Sequence, residues 1–412
     1  MTSEWKECCL GDIISLVIDH RGLTPKKLGG DWSKKGYRAL SAKNIKTGKI
    51  VHPESIRFVN EDMYHKWMPE EIKFGDILVT SEAPFGEIYQ WNSGEKIVLS
   101  QRLFGIRVSS FYDADYIYYY MISNIFKSEM YARATGTTVI GLRQPELLKC
   151  KIRYPDINIQ RKIAPILKTI DRKIEINEEI NKNLSEQLQA LYTSEFDVTV
   201  HHATAKLSDI CHYSVERVNV DELSTKTYYS TENMQPNKVS SVEATNLPSI
   251  KQTTRCHKGD VLVSNIRPYF KKIEYVTTEC GCSTDVLCFV PASKDLSAFL
   301  YETLYADRFF DYMVAGSKGT KMPRGDKQQI MQYEVVMPSS EQLLAFNAAA
   351  TPMLALITNG MLENERLSML RDSLFIMGPL SRPRSKILRV AVSRIILSSE
   401  ASKVKLVGNL VA

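Results

Sequence analysis

This chain repeats itself, and the repeat limits what it can fold into. Residues 73–79 read Lys-Phe-Gly-Asp-Ile-Leu-Val, and residues 257–263 read His-Lys-Gly-Asp-Val-Leu-Val. Asn44-Ile45 returns as Asn233-Met234, Gly136-Thr137 as Gly319-Thr320, and Tyr154-Pro155 as Met337-Pro338. Ala164-Pro165-Ile166-Leu167, followed by Ile170, Ile174, Asn177 and Glu178, returns as Thr351-Pro352-Met353-Leu354, followed by Ile357, Met361, Asn364 and Glu365. The order is kept while the offset drifts, from 189 residues for the asparagines to 184, 183 and 187 for the later matches. Two diverged copies of one module produce that pattern. A solenoid unit runs to about 20–50 residues, far short of this period. Two globular domains, each followed by a helix, are expected instead.

A chain of 412 residues is long enough for two or three domains with their own cores. No run of about 18 uninterrupted apolar residues marks a membrane span, and the first residues lack the layout of a signal peptide. A cytoplasmic, non-membrane protein is expected. The eight cysteines show no disulfide spacing. Cys256, Cys280, Cys282 and Cys288 suggest a metal only loosely, because the paired Cys-x2–4-Cys ligands of a structural zinc site are missing; no metal is expected. The net charge of +6 resides in residues 377–412, which hold seven basic side chains and one acid. The rest of the chain is neutral, so a nucleic-acid argument has to rest on local clusters.

The expected layout is a mixed α/β module over 1–155, a helix over 156–200, a second module over 201–338, a second helix over 339–376, and a basic tail over 377–412. Residues 77–80, 97–100, 104–108 and 151–154 read as strands, with a helix from Asp115 to Arg133. In the second copy 261–263 and 286–290 are the strands and Leu296 to Met313 the helix. Ile163, Leu167, Ile170, Ile174, Asn177, Asn181, Leu184, Leu188 and Leu191 step alternately by four and three, a heptad seam with asparagine at two core positions. Pro165 suits a first helical turn and suggests that the regular helix starts there. Leu354, Ile357, Met361, Asn364, Leu367, Leu370 and Leu374 repeat the stripe. The two stripes are expected to pair, through Ile170, Ile174, Asn177, Asn181, Leu184, Ile357, Met361, Asn364 and Leu367. An antiparallel pair would relate the modules by pseudo-twofold symmetry. About 30 helical residues make a rod of roughly 45 Å, which matches about a dozen base pairs of duplex.

Catalytic signatures are missing. There is no phosphate-binding Gly-x4-Gly-Lys loop, no Gly-x-Gly-x-x-Gly, no Gly-x-Ser-x-Gly and no His-Glu-x-x-His. Pro155-Asp156 with Asp171-Arg172-Lys173 imitates a nuclease signature, but Asp171 and Lys173 flank heptad positions of a helix. Basic sequence is clustered instead. Residues 21–49 hold Arg21, Lys26, Lys27, Lys34, Lys35, Arg38, Lys43, Lys46 and Lys49 against Asp31 alone, interleaved with Gly, Trp32, Tyr37 and Asn44. Residues 251–272 hold six basic residues, among them Arg267, Lys271 and Lys272, against Asp260. The Gly-Thr segments place Thr138 and Arg143 in one copy opposite Lys321 and Arg324 in the other. Flexible basic loops suit phosphates, while Arg and Asn can read base edges. The candidate DNA contacts are therefore Arg21, Lys26, Lys27, Lys43, Asn44, Thr138, Arg143, Asn233, Arg267, Lys271, Lys272, Lys321 and Arg324. One patch per module suits two separated half-sites.

Over residues 5–376 the chain resembles the specificity (S) subunit of type I restriction–modification systems. The resemblance rests on Gly75–Val79 with Gly259–Val263, the two Gly-Thr segments, and the lead-in Pro155-x4-Gln160-x2-Ile163 to a long helix. It implies two target-recognition domains held apart by an antiparallel coiled coil, each reading half of a split site in double-stranded DNA. It also implies docking of modification subunits, two in number, that bind S-adenosylmethionine and transfer the methyl group, with restriction subunits joining to cleave. No catalytic residue and no cofactor would belong to this chain. The second lead-in departs from the pattern, and so does the tail after Phe375. A stand-alone DNA-binding regulator is the alternative, disfavoured by the lack of a helix-turn-helix and of a ligand domain.

Overall fold

The Gly-Asp repeat is a turn that each copy builds in the same way. In a computed structural model that describes residues 5–136 and 139–376, Gly75 and Gly259 take φ of +90° and +99°, a region that favours glycine. The Asp76 carboxylate accepts the Lys73 N–H at 2.8 Å, and that of Asp260 accepts the His257 N–H at 2.7 Å. Each glycine N–H then donates 2.8 Å across to a backbone oxygen, of Trp91 or of Val276. The turn aims the following Ile-Leu-Val or Val-Leu-Val strand into a sheet.

Contacts divide the described chain into two units. The first takes residues up to Ile174 together with the chain from Asn364 onward, and the second takes Glu175–Glu363.

In the first unit the strands Ile14–Asp19 (β1), Tyr37–Leu40 (β2), Arg57–Val59 (β3), Ile77–Thr80 (β4), Ile88–Gln90 (β5), Ile97–Leu99 (β6) and Leu103–Val108 (β7) form two sheets. One has the order β1-β7-β4-β5, all antiparallel; the other has β3-β2-β6, with β2 and β6 parallel. Strand β4 is apolar at consecutive positions because both its faces are covered. Ile77 and Val79 join a cluster with the helices Ala114–Ile122 (α1) and Asn124–Arg133 (α2), while Leu78 joins Trp67, Trp91 and Leu99 on the other side. The single helix expected over 115–133 is thus two helices. Ser123 breaks it: its hydroxyl donates to Tyr120 O at 2.6 Å and accepts the Phe126 N–H at 3.4 Å, capping the second helix.

The second unit repeats the plan. Its strands are Cys211–Tyr213 (β8), Arg217–Asn219 (β9), Tyr228–Tyr229 (β10), Gln252–Cys256 (β11), Val261–Ser264 (β12), Ile273–Tyr275 (β13), Cys280–Cys282 (β14) and Val286–Pro291 (β15). The sheet β8-β15-β12-β13 matches that of the first unit, and β9-β11-β14-β10 again holds a parallel pair, β10 with β14. Val261 and Val263 face the helices Ser297–Tyr305 (α3) and Asp307–Ala315 (α4), while Leu262 faces the other cluster. The expected helix 296–313 is also two, separated at Ala306. Cys256, Cys280, Cys282 and Cys288 lie together in that second cluster, buried among apolar side chains. Among the described residues no group of three His, Cys, Asp or Glu is placed to hold a metal.

Two long helices complete both cores: Ile157–Phe196 (α5) and Ser340–Ile376 (α6). Helix α5 begins eight residues before Pro165, so that proline is interior and not a starting position. Its ring removes one backbone donor, and Pro352 does the same in α6. Every heptad residue of α5 is buried or half-buried, including Asn181 and Leu184; in α6 so are Ile357, Met361, Asn364 and Leu367. Within the first unit Asn364 donates to Ile174 O at 3.4 Å and Arg371 pairs with Asp171 at 2.8 Å. Within the second, Asn177 donates to Glu363 at 2.8 Å, Gly360 lies so close to Asn181 that an added methyl would meet its amide at 2.6 Å, and Tyr192 and Phe196 pack on Phe346. Residue numbers rise along one helix as they fall along the other, so the paired segments are antiparallel. Helix α6 is apolar on more than one side: residues 340–373 are long and apolar enough to cross a membrane by length and composition, with a mean hydropathy of 1.3 in the best window. Phe346, Ala350, Leu354 and Leu367 are buried, whereas Leu344, Leu356, Leu362 and Met369 are exposed.

Two outcomes follow from this packing. Leu367→Ala empties a site that is 3% exposed and should cost about 2–5 kcal/mol in a urea melt, while Leu356→Ala, on the exposed side, should stay within about 0.5 kcal/mol of the parent. Glu302 on α3 is 2% exposed with one carboxylate oxygen unpartnered, and burial pushes its pKa up to about 8, against the weaker pull of Lys238. A folded pKa above the unfolded value favours the protonated form, so this contribution is complete below the ordinary glutamate range and is lost as pH rises through about 8. Melts of Glu302→Gln should therefore lose less stability than the parent between pH 5 and pH 9, and an unchanged pH profile would contradict the assignment.

Candidate nucleic-acid interface

Each unit joins a hairpin turn to its Gly-Thr loop. In the first, the β4–β5 turn meets residues 135–142: Glu82 bridges Gly141, which also bridges Thr135, and the Leu142 N–H donates to Ser81 O at 2.9 Å. In the second, the β12–β13 turn meets residues 318–325: Ile266 bridges Arg324, Arg324 bridges Lys318, and the Arg267 N–H donates to Pro323 O at 2.8 Å. Gly136 and Gly319 turn the two loops at φ of +110° and +101°.

In the second unit five expected cations lie on this turn and its loop: Arg267, Lys271 and Lys272 on the turn, Lys321 and Arg324 on the loop. Lys321 is exposed, and Arg324 keeps 56% side-chain exposure while pairing with Asp285 at 3.0 Å. Lys271 pairs with Asp307 at 2.7 Å, and Lys238 shares that carboxylate at 2.9 Å, which holds Asp307 below the usual aspartate range. The Lys272 ammonium donates to Thr231 O, and burial lowers its pKa. Arg267 stands half-buried at the mouth of the turn, with Nε unpartnered. Lys238, whose N–H donates to Lys271 O at 2.8 Å, is a cation beside this turn that the sequence pattern does not reveal, because it lies outside both basic runs.

The expected cations of the first unit are spread over separate turns. Arg21 forms a bidentate pair with Asp19, both distances 2.8 Å, and lies 4.0 Å over the Phe104 ring. Lys27 donates to Gly22 O at 2.6 Å, while Lys26, Lys43 and Arg143 are exposed. Thr138 lies outside the described residues.

Asn44 and Asn233 have other work in this structure. Asn44 is 1% exposed: its oxygen accepts the Ser41 N–H at 3.1 Å, and its amide donates to His52 O at 3.2 Å and Ser55 Oγ at 2.9 Å. Asn233 is 6% exposed and repeats this, accepting the Ser230 N–H at 2.6 Å and donating to Tyr228 O and Val242 O, both at 2.9 Å. The expectation that they read base edges gives way to a structural one: both amides are spent within the fold, stapling equivalent loops. Asp171, from the imitation nuclease signature, is likewise taken up by Arg371.

Residues 2–186 match the family described as Type I restriction modification DNA specificity domain. The chain is 30% identical over 178 residues to the type I restriction enzyme MjaVIII specificity subunit of Methanocaldococcus jannaschii, and the matched stretch is 41% of this chain and 42% of that relative. The chain thus spans less than half the length of that relative in alignment. Its fold is similar to the crystal structure of the type I restriction–modification S subunit from M. genitalium, with a TM-score of 0.51 and 16% identity over 90% of this chain and 95% of that one. Over residues 2–186 the chain is thus similar to the specificity domain of type I restriction–modification systems, and its fold is similar to that of an S subunit.

Proposed function

We propose that the chain is the DNA-recognition subunit of a type I restriction–modification complex, in which each module, 1–155 and 201–338, reads one half of a split site in double-stranded DNA. The observation that carries this reading is the match of residues 2–186 to a DNA specificity domain, whose sheet order and loop pairing return in the second unit. Cations at the Gly-Thr loops fit phosphates, which position a protein on duplex without reading its sequence. Because the two surfaces differ in residue content, the half-sites differ as well.

The helices 156–200 and 339–376 set the spacing between the half-sites and dock the modification subunits. The exposed Leu344, Leu356, Leu362 and Met369 of α6 support docking, since apolar side chains left in water are the material of protein interfaces. S-adenosylmethionine and the methyl-transfer residues belong to the modification subunits in this reading, and cleavage to the restriction subunits. The chain itself is non-catalytic and works in the cytoplasm, away from membranes.

Three measurements test this. The tagged chain should co-purify with a modification subunit, in two copies, and the purified chain alone should transfer no methyl group from S-adenosylmethionine. Mapping modified bases by long-read sequencing should return a split motif, and removing one heptad from each helix should change its gap or abolish modification; an active variant with the original gap refutes the spacing role. Lys321→Ala should weaken duplex binding at every sequence and lower the salt slope by about one.

A further inference from the structure

The hairpin turns beside the Gly-Thr loops share a feature outside the basic runs. Each has a residue with left-handed backbone, then proline, then an aromatic: Ala83-Pro84-Phe85 with φ of 45° at Ala83, and Arg267-Pro268-Tyr269-Phe270 with φ of 50° at Arg267. In the second unit Lys271 is left-handed too, at φ 51°. Residues other than glycine avoid this region, and they persist in it where the surroundings over-determine them, a situation concentrated at functional sites.

The surroundings here do so. The Arg267 N–H is held by Pro323 O at 2.8 Å, Phe270 O accepts the Asn237 N–H at 2.7 Å, and Lys271 O accepts the Lys238 N–H at 2.8 Å. With the backbone clamped from two sides, the side chains of the tip are turned outward: Tyr269 is 49% and Phe270 37% exposed, with ring centroids 4.7 Å apart. Burial does not explain this aromatic pair, and the strand pairing of β12 with β13 does not need it. Arg267 opens the tip, Arg324 is bridged to its neighbour Ile266, and the Lys272 ammonium lies 5.8 Å from the Phe270 ring centroid, so cations accompany the two exposed rings. A polyanion that also offers flat apolar faces matches both features, and duplex DNA is such a partner.

We propose that Tyr269 and Phe270 form an aromatic wedge that stacks on a nucleobase of the half-site bound by the second module. The wedge determines sequence preference at that step while the surrounding cations hold the backbone. The same construction in the first unit presents Phe85 against Tyr131, centroids 4.9 Å apart, with Tyr131 59% exposed. This assignment rests on the DNA-recognition reading above.

The test uses the full-length chain, purified with the subunits that accompany it, to select from random-sequence duplexes. The parent should enrich two separated elements. The double variant Tyr269→Ala/Phe270→Ala should enrich one of them as before, lose or relax the other, and bind the parent-selected duplex roughly 10-fold more weakly or worse. Its melting temperature and its co-purifying subunits should not change, because the replaced rings lie on an exposed tip, and Tyr269→Trp, which keeps a stacking face, should retain both elements. A double variant with the parent's two elements and affinity overturns the proposal. So does one that keeps both elements but loses a subunit, which would make the tip a protein contact. A parent that enriches no element removes the DNA reading itself, and the wedge with it.

Discussion

Each unit completes its core with segments of both long helices, and the rest of the architecture depends on that shared packing. The first unit, built largely from residues before 174, closes over Leu367 and Leu370 of α6. The second closes over Leu188, Tyr192 and Phe196 of α5. A sheet with helices on one face still has an apolar flank to cover, and a long amphipathic helix covers it at the cost of ordering few extra residues. Seam positions in both helices are therefore held by packing as well as by each other. The polar seam residues add direction: Asn177 with Glu363, Asn364 with the Ile174 carbonyl, and Arg371 with Asp171 each fit only one register.

Duplication preserved what the fold needs and let the rest diverge. The Gly-Asp turn, the stapling asparagine and the bridged loops occur in both units with nearly the same hydrogen bonds. Away from those points the copies differ. Asp76 pairs with Arg107 at 2.7 Å in the first unit, while the equivalent Asp260 accepts from the Cys288 thiol at 3.5 Å, burial holding its carboxyl above the usual aspartate range. The hairpin tips keep proline and an aromatic but differ most in charge, with Glu82 and Glu87 in one copy and Arg267, Lys271 and Lys272 in the other.

Much of this is legible in the sequence. Repeated residues marked the units, and the four-three spacing marked α5 and its burial from Ile163 to Leu191. Three readings went astray for physical reasons. Pro165 suits a helix start in sequence, whereas the helix runs through it, since tertiary packing outweighs one missing donor. The helices 115–133 and 296–313 read as continuous because apolar spacing does not register a capping serine such as Ser123. Asn44 and Asn233 looked like base readers because they stand in basic, loop-like sequence. Their burial depends on hydrogen bonds to residues such as Val242, which no local pattern reveals. The aromatic tips are hidden for the opposite reason, as Pro-aromatic pairs beside turns usually signal core or turn chemistry.

The division into units also bears on how the protein is made. The second unit is one continuous stretch, Glu175–Glu363, and every residue of its core has left the ribosome before Leu367 does. The first unit is synthesised earlier but waits for Leu367 and Leu370, which lie near the end of the described chain. Domains fold as units during synthesis, so the half that emerges last is able to close first. The earlier half carries an uncovered apolar flank until Leu367 and Leu370 have emerged.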